Sequence, residues 1–141
     1  MKINKVTSIE QLEILKNMLK ICFDEEIIDK SKWDKLLKNQ QYSIWIAYLD
    51  EKPVGFIGMM SVCTLQYEAF WVDLIGVLPE YRNRGIARKM IEFGKKSVKK
   101  SNPDFISALI ADENISSQKA FQNSKFEKDK KFHLFFSDCN S

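Results

Sequence analysis

The sequence contains few of the residues that build metal centres and disulfide frameworks. It has one histidine, His133, and three cysteines that lie far apart, Cys22, Cys63 and Cys139, with no Cys-x-x-Cys pair. Zinc sites need clustered thiolates and imidazoles, and disulfide frameworks need paired cysteines, so we expect neither a bound metal nor a disulfide. Reduced thiols are typical of the cytosol, which we therefore predict as the location.

Long apolar runs are also missing. No stretch approaches the ~20 consecutive apolar residues that a membrane-spanning helix needs. The first residues, MKINKVT, lead directly into an alternating, strand-like pattern and show no hydrophobic region of a signal peptide. We expect a cytoplasmic protein that has no membrane partner.

The numbers of positively and negatively charged residues are nearly equal. The 22 Lys and Arg residues against 19 Asp and Glu give a formal net charge of +3, and the lysines are spread along the chain. This distribution argues against a nucleic-acid partner. The lysine-rich stretch 95–100 lies at the end of a predicted helix, where a solvated end that complements the helix dipole is favoured over a binding patch. With 141 residues, 45% of them hydrophobic, the chain is predicted to form one domain, residues 1–141, with a substantial core.

Hydrophobic periodicity and turn residues divide the chain into ten elements. Ser8 and Gln11 have the spacing of a capping box at the start of the first helix. Residues 50–53 have the composition of a hairpin turn. The expected strands are residues 2–7, 42–49, 54–63, 68–77, 105–111 and 132–136. The expected helices are residues 8–23, 31–39, 85–100 and 114–123.

The resulting order, β-α-α-β-β-β-α-β-α-β, predicts an α/β fold (α+β in some schemes). Short links make neighbouring strands antiparallel, whereas the strand–helix–strand unit over 68–111 provides one parallel crossover. We therefore expect a mixed, mostly antiparallel central sheet with helices on both faces. Ligands in such sheets bind where neighbouring strands diverge, which here is the C-terminal end of strand 68–77.

A short basic turn, residues 82–87 with the sequence RNRGIA, follows that strand and opens the next helix. The first N–H groups of a helix have no partner within the helix, and the helix dipole places partial positive charge there. Arg82 and Arg84 add forked donors that suit phosphate oxygens, and Gly85 allows a phosphate to approach the backbone. The turn is therefore predicted to hold a phosphate-bearing ligand. Surface solubility is the alternative role of the two arginines.

The basic turn resembles the pyrophosphate loop, [RQ]-x-x-G-x-[GA], of the GNAT superfamily of acyl-CoA-dependent N-acyltransferases. The match lies in a wider frame, V-x-P-x-Y-R-x-x-G-I-A, and residues 114–126 partly match a second segment of the family. Element order and chain length fit as well, so the resemblance covers nearly the whole chain. It implies a GNAT-like fold, acetyl-CoA as the co-substrate and an amine as the acceptor.

By position, the resemblance assigns the acetyl-CoA site to three segments. The amides of the basic turn and its arginines would hold the pyrophosphate, the end of the central strand would hydrogen-bond the pantetheine, and the last helix would contact the pantetheine arm. The residues implied are Ile75, Gly76, Val77, Arg82, Asn83, Arg84, Gly85, Ile86, Ala87, Asn114, Ser117 and Phe121.

Two positions depart from the family pattern. The family often has a tyrosine that protonates the departing CoA thiolate, but Phe121 occupies that position and has no proton to give. Water or another group would then supply the proton, or the thiolate would leave unassisted. Tyr67 and Tyr81 are nearby in sequence, although packing is their favoured role. Lys125 replaces a family glycine, which is unfavourable if φ is positive there.

The reaction needs a neutral amine, and family members often use a carboxylate of the central strand as the base. Asp73 interrupts an otherwise apolar strand and is the first candidate. A paired structural carboxylate is its alternative role. Glu68, on the opposite face by parity, is the second candidate. Cys63 has no histidine in evidence to activate it, so direct attack by the amine is favoured over an acyl-enzyme.

The acceptor side is expected at the first two helices and the strand ends, where aromatic residues such as Trp33 and Tyr42 offer apolar walls. Asp24, Glu25 and Glu26, in the link between those helices, would attract a cationic amine. We predict an N-acetyltransferase that acts on a primary amine of a small molecule. A protein or peptide N-acetyltransferase and a non-catalytic acyl-CoA sensor are the alternatives, and both a monomer and a homodimer remain open.

Overall fold

A computed structural model describes residues 1–140. The strands are β1 (Lys2–Lys5), β2 (Tyr42–Leu49), β3 (Lys52–Cys63), β4 (Glu68–Val77) and β5 (Phe105–Ala108). The α-helices are α1 (Ile9–Phe23), α2 (Trp33–Lys38), α3 (Ile86–Val98) and α4 (Ile115–Asn123). Short 3-10 turns lie at Lys30–Lys32, Pro79–Tyr81 and Lys99–Ser101. None of the helices in the described chain is long and apolar enough to span a membrane.

The strands form one mixed sheet in the order β1-β2-β3-β4-β5. The pairs β1–β2, β2–β3 and β3–β4 are antiparallel, and β5 runs parallel to β4. The β2–β3 hairpin turns at Asp50 and Glu51, whose φ angles are 47° and 65°. A tight hairpin needs this left-handed backbone to match the twist of its strands. The mixed, mostly antiparallel sheet predicted from the sequence is confirmed.

Helices cover both faces of this sheet, as predicted. On one face, α1 and α2 pack their apolar sides on β2 and β3, with Leu12, Trp33 and Phe56 in the buried cluster. On the other face, α3 and α4 enclose a second cluster that includes Met90 and Phe121. The capping box at the start of α1 is present as predicted, since both the Ser8 and the Gln11 side chains bond the backbone of the first turn.

The sheet opens between β4 and β5. These strands pair only from Ala69, opposite Phe105, to Val72, opposite Ala108. Beyond that point β4 continues to Val77 without a strand on this side in the described residues. A gap therefore forms at the C-terminal end of β4, where strand divergence was expected to place a ligand.

A β-bulge coincides with the start of this gap. Gly58 pairs with Leu74 and Met59 pairs with Val72, which leaves Asp73 as the extra residue of β4. A bulge bends its strand and re-aims a side chain. Asp73 therefore lies where β4 leaves its pairing with β5.

Two expected strands differ in the structure. The strand expected over residues 105–111 ends at Ala108, because β4 no longer offers it a ladder beyond Val72. The strand expected over residues 132–136 does not form, so the element order ends at α4. Its alternating apolar pattern has no neighbouring strand within residues 1–140 to pair with, and strands are stable only as part of a sheet. The side chains exposed as a result are Phe132, Leu134, Phe135 and Phe136, at 72%, 91%, 92% and 91%.

Candidate functional site

A cavity of about 510 Å³ lies at the divergence of β4 and β5. Its walls come from both sides of the sheet. Leu19 of α1 and Leu36 of α2 line one side, whereas Asn114 and Phe121, at the start and within α4, line the other. The β4 residues that follow Val72 lie between the two sides. The cavity therefore crosses the sheet at the gap, and two ligands could reach it from opposite faces.

The charged residues that line this cavity are all acidic. They are Glu25 and Glu26, in the α1–α2 link, and Asp73 on β4. Glu26 is 3.3 Å from the Lys20 ammonium, an exposed pair that solvent screens. Within residues 1–140, Glu25 and Asp73 form no ion pair. The cavity thus presents a negative potential that favours a cationic ligand.

Asp73 lies at the bulge with an exposed side chain. The Tyr42 hydroxyl donates a hydrogen bond to Asp73 Oδ2 at 2.8 Å. Burial raises the pKa of Tyr42, and the charge and hydrogen bond of Asp73 raise it further, so the phenol stays a donor at neutral pH. Asp73 is therefore held by a neutral donor and not by a cation, which leaves its charge available to a ligand.

The structure places Glu68 away from Asp73. Glu68 begins β4, five residues before Asp73, which corresponds to about 16 Å along a strand. It accepts a hydrogen bond from the Cys63 thiol at 3.7 Å, while its backbone N–H donates to Asp104. It does not line the cavity. The two carboxylates predicted as candidate bases are thus not brought together.

The basic turn has the backbone of an anion-binding helix start. Asn83 and Gly85 have φ angles of 62° and 75°. A Cβ at Gly85 would meet no atom within 4 Å, so the backbone conformation, and not a lack of space, favours glycine there. Helix α3 starts at Ile86, and Gly85 precedes it without a side-chain cap. In the described chain, the amides of residues 83–88 have no protein acceptor and are available to an anion.

The two arginines of this turn make different contacts. Arg82 Nε donates to the carbonyl of Val77 at 3.0 Å, and its guanidinium lies beside the thiol of Cys22 in α1. Burial raises the pKa of that thiol, although the arginine opposes the shift. Arg84 instead lies over the ring of Tyr81, with its guanidinium carbon 5.4 Å from the ring centroid. Arg82 thus ties the end of β4 to α1, and Arg84 remains exposed over the ring of Tyr81.

The end of β4 offers an unpaired edge toward the gap. Of the three residues expected to contact pantetheine, Ile75 lines the cavity, whereas Gly76 and Val77 lie just beyond it. Gly76 has a structural reason to be glycine, since a Cβ there would be 2.5 Å from the ring of Phe56. An unpaired strand edge can hydrogen-bond an extended chain, and the pantetheine arm of CoA is such a chain.

Helix α4 brings the remaining predicted contacts to the cavity. Asn114 caps the helix, because its Oδ1 accepts from the N–H of Ser117 at 3.2 Å, and both residues line the cavity. Phe121 is 4% exposed and packs edge-to-face on Phe126, with ring centroids 5.0 Å apart. Neither Tyr67 nor Tyr81 lines the cavity, so neither replaces the hydroxyl missing at Phe121.

Tyr42 is the polar residue of the cavity whose role sequence reasoning missed. The sequence predicts it only as an apolar wall, because its contact with Asp73 spans 31 residues. No local pattern signals such a contact.

Within residues 1–140 no group of three His, Cys, Asp or Glu residues could hold a metal ion.

Comparisons with known proteins agree on one family. A family model described as the acetyltransferase (GNAT) family matches residues 12–126. An uncharacterized N-acetyltransferase of Escherichia coli (strain K12), YafP, is 32% identical over 101 residues, which are 71% of this chain and 55% of that protein. The chain thus spans about half the length of this curated relative.

Solved structures share the fold at low identity. The aminoglycoside antibiotic 6'-N-acetyltransferase AAC(6')-IG from Acinetobacter haemolyticus superposes with a TM-score of 0.81 at 17% identity, covering 98% of this chain and 99% of that one. The aminoglycoside N-acetyltransferase AAC(6')-Iy in complex with CoA superposes with a TM-score of 0.79 at 20% identity, covering 98% and 100%. The aminoglycoside acetyltransferase meta-AAC0020, from an uncultured soil metagenomic sample, has a TM-score of 0.84 at 13% identity, covering 96% and 95%.

Proposed function

Because the chain belongs to the GNAT acetyltransferase family, we propose that it transfers an acetyl group from acetyl-CoA to a primary amine of a small, cationic molecule. The observation that carries this proposal is the cavity at the β4–β5 divergence. Residues from both faces of the sheet line it, and its charged lining residues are all carboxylates. Such a cavity suits two ligands, an acyl donor on the α4 side and an ammonium on the α1–α2 side.

The donor half of the proposal rests on the basic turn and the edge of β4. The free amides of residues 83–87 and the exposed Arg84 would hold the pyrophosphate of acetyl-CoA. The pantetheine arm would run along Ile75–Val77 and past Asn114 and Ser117, which puts its acyl end beside the bulge. AAC(6')-Iy, a protein of the same fold, has been solved in complex with CoA, and this supports a CoA thioester as the donor.

The acceptor half rests on charge. An amine is protonated at neutral pH, and Glu25 and Asp73 offer uncompensated carboxylates in the cavity. Apolar side chains, such as those of Leu19 and Leu36, line the same part of the cavity. Similar structures belong to enzymes named for aminoglycosides, which carry several amines, and this supports a polyamine or an amino sugar as the acceptor.

The proposed reaction is direct acyl transfer. Asp73, alone or through water, takes a proton from the ammonium, and the neutral nitrogen attacks the thioester carbonyl carbon. The C–N bond forms, the C–S bond breaks, and the thiolate of CoA leaves. The nitrogen loses a second proton as the amide forms and the thiolate takes up a proton, so the products are an amide and CoA thiol. Since Phe121 cannot supply that proton, water in the open cavity carries it.

The test is a calorimetric titration with acetyl-CoA, followed by thiol release with a panel of amines. The panel contains spermidine, glucosamine, lysine and a short peptide with a free N-terminus. We expect binding of acetyl-CoA and thiol release with one of the first three. Thiol release with the peptide alone would favour a protein acetyltransferase. Binding without release on any amine would favour an acyl-CoA sensor, a function that the lack of a hydroxyl at Phe121 would explain. Absence of acetyl-CoA binding would overturn the donor site.

A further inference from the structure

Tyr42 reaches Asp73 across an intervening strand. Tyr42 starts β2, Gly58 belongs to β3 and Asp73 belongs to β4, so the phenol crosses β3 to place its hydroxyl 2.8 Å from Asp73 Oδ2. A Cβ at Gly58 would lie 2.5 Å from Tyr42 Oη and 3.2 Å from Cζ. The missing side chain of Gly58 is therefore the space through which the ring passes.

The bulge completes this arrangement from the other side. Gly58 is the residue opposite Leu74, and Asp73 is the additional residue next to that pair. In a regular ladder, Asp73 and Leu74 would point to opposite faces of the sheet. The bulge instead re-aims Asp73, so that its carboxylate meets the phenol that crosses Gly58. Three features from three strands thus converge on one exposed carboxylate that lines the cavity.

We propose that Tyr42 is a positioning residue for the acceptor amine, which it serves by holding the Asp73 carboxylate through Oδ2 and leaving Oδ1 to receive the ammonium. This inference rests on the proposed function, because it assigns the acceptor to Asp73. An exposed carboxylate without such a partner samples several rotamers, and a donor in a fixed place selects one of them. Gly58 is needed as glycine because any side chain there would displace the hydroxyl.

The test compares variants that remove the contact by two independent routes. Tyr42→Phe deletes the hydroxyl, and Gly58→Ala keeps it but pushes it aside. Tyr48→Phe is the matched control, since its hydroxyl lies on the same strand and makes no hydrogen bond within residues 1–140. For the best acceptor among spermidine, glucosamine and lysine, we expect kcat/KM to fall about tenfold in Tyr42→Phe and in Gly58→Ala. The fall should come mainly from KM, while the Kd of acetyl-CoA and the rate of Tyr48→Phe stay unchanged.

The double variant separates positioning from general damage to the fold. The Tyr42 hydroxyl is the atom closest to the methyl group that Gly58→Ala adds, and Tyr42→Phe removes it. The double variant should therefore lose no more kcat/KM than either single variant. If the falls in kcat/KM of the two single variants multiply in the double variant, Gly58 and Tyr42 act independently, and the proposal is overturned. An unchanged KM in Tyr42→Phe would overturn it as well, and so would a matching loss of acetyl-CoA affinity.

A readout that needs no turnover distinguishes this inference from the proposed function. Asp73→Asn removes the charge that helps to keep the phenol protonated, so Tyr42 should ionise at a lower pH in that variant. The absorbance of tyrosinate measures this ionisation, and Tyr42→Phe serves as the blank. An unchanged titration would show that the contact is not formed and would sink the inference. If the wild type acetylates none of the amines, the proposed acetyl transfer fails, and with it the role of Tyr42 toward an acceptor.

Discussion

The two arginines of the proposed donor site make different contacts. Arg82 and Arg84 flank the same turn, yet the first bonds the carbonyl of Val77 and contacts α1, whereas the second lies over the ring of Tyr81. Because Arg82 already donates to the protein, it adds positive charge but has fewer N–H groups free for a phosphate. We therefore attribute direct phosphate contact to Arg84 and the shape of the turn to Arg82.

Arg84→Ala is expected to weaken acetyl-CoA binding about tenfold at low ionic strength, because one charge-assisted contact to phosphate is lost. Salt screens exposed charges, so the difference from the wild type should shrink as salt rises. Isothermal titration calorimetry at two salt concentrations measures both effects. Lys99→Ala, which removes another exposed cation just beyond the far end of α3, serves as the control and should leave Kd unchanged. Equal Kd values in Arg84→Ala and the wild type would contradict the assignment of Arg84.

Asp73→Asn tests the proposed base. Asparagine keeps the shape of the side chain and can still accept from Tyr42, but it has neither the charge nor the basicity. We expect the rate of acetyl transfer to fall by about 10²-fold while acetyl-CoA affinity stays the same. Thiol release under saturating donor measures the rate, and Asp34→Asn, on the exposed surface of α2, is the matched control. A wild-type rate in Asp73→Asn would remove Asp73 from the chemistry.

At the scale of elements, the end of α4 shows a local conflict between sequence and backbone. Lys125 has a φ of 64°, its N–H bonds the carbonyl of Gln122, and the N–H of Phe126 bonds the carbonyl of Phe121. This is the hydrogen-bond pattern of a Schellman motif, whose left-handed position favours glycine. Because φ is positive, lysine is an unfavourable residue at this position, as the sequence predicts for that case.

Lys125→Gly is therefore expected to stabilise the fold by about 0.5–1 kcal/mol, since it relieves the left-handed strain but adds flexibility to the unfolded chain. Urea denaturation of the two proteins measures the difference. Lys128→Gly, in the irregular segment after α4, should bring no gain, because no helix end depends on it. If both variants lose stability to the same degree, the strain at Lys125 is negligible.

At the scale of the whole molecule, the half-buried phenol of Tyr42 links stability to alkaline pH. The unfolded chain releases the phenolic proton near a pKa of about 10. In the folded protein the pKa of Tyr42 is raised, first by burial and then by Asp73, so the folded state keeps its proton at higher pH. The contribution is fully present below pH of about 10 and is lost as pH rises toward the folded pKa, because the unfolded state then binds fewer protons.

The expected result is that the unfolding free energy declines above pH of about 10 in the wild type and declines less steeply in Tyr42→Phe. Urea denaturation at a series of pH values between neutral and strongly alkaline measures both slopes. Lysines also titrate in this range, but they are common to both proteins, so the difference between the slopes isolates the phenol. Parallel slopes would show that Tyr42 is not protected from ionisation.

Local sequence patterns were sufficient for much of this architecture. The Ser8–Gln11 capping box, the strand–turn–helix around Gly85 and the tight hairpin at residues 50–51 depend on residues close in sequence, and each is present. The bulge at Asp73 and its hydrogen bond to Tyr42 depend on the register of three strands, which no local pattern contains. The expected strand over residues 132–136 fails for the same reason, since its apolar alternation is local but a ladder partner is not.

The cavity that crosses the sheet also has a consequence for the order of events. If the donor enters from the α4 side and the amine from the α1–α2 side, neither blocks the path of the other, and either can arrive first. Initial-velocity plots should then give intersecting lines. Free CoA should compete with acetyl-CoA for its half of the cavity while inhibiting non-competitively toward the amine. A molecule that joins CoA covalently to the amine would occupy both halves at once, and it should bind more tightly than either ligand alone.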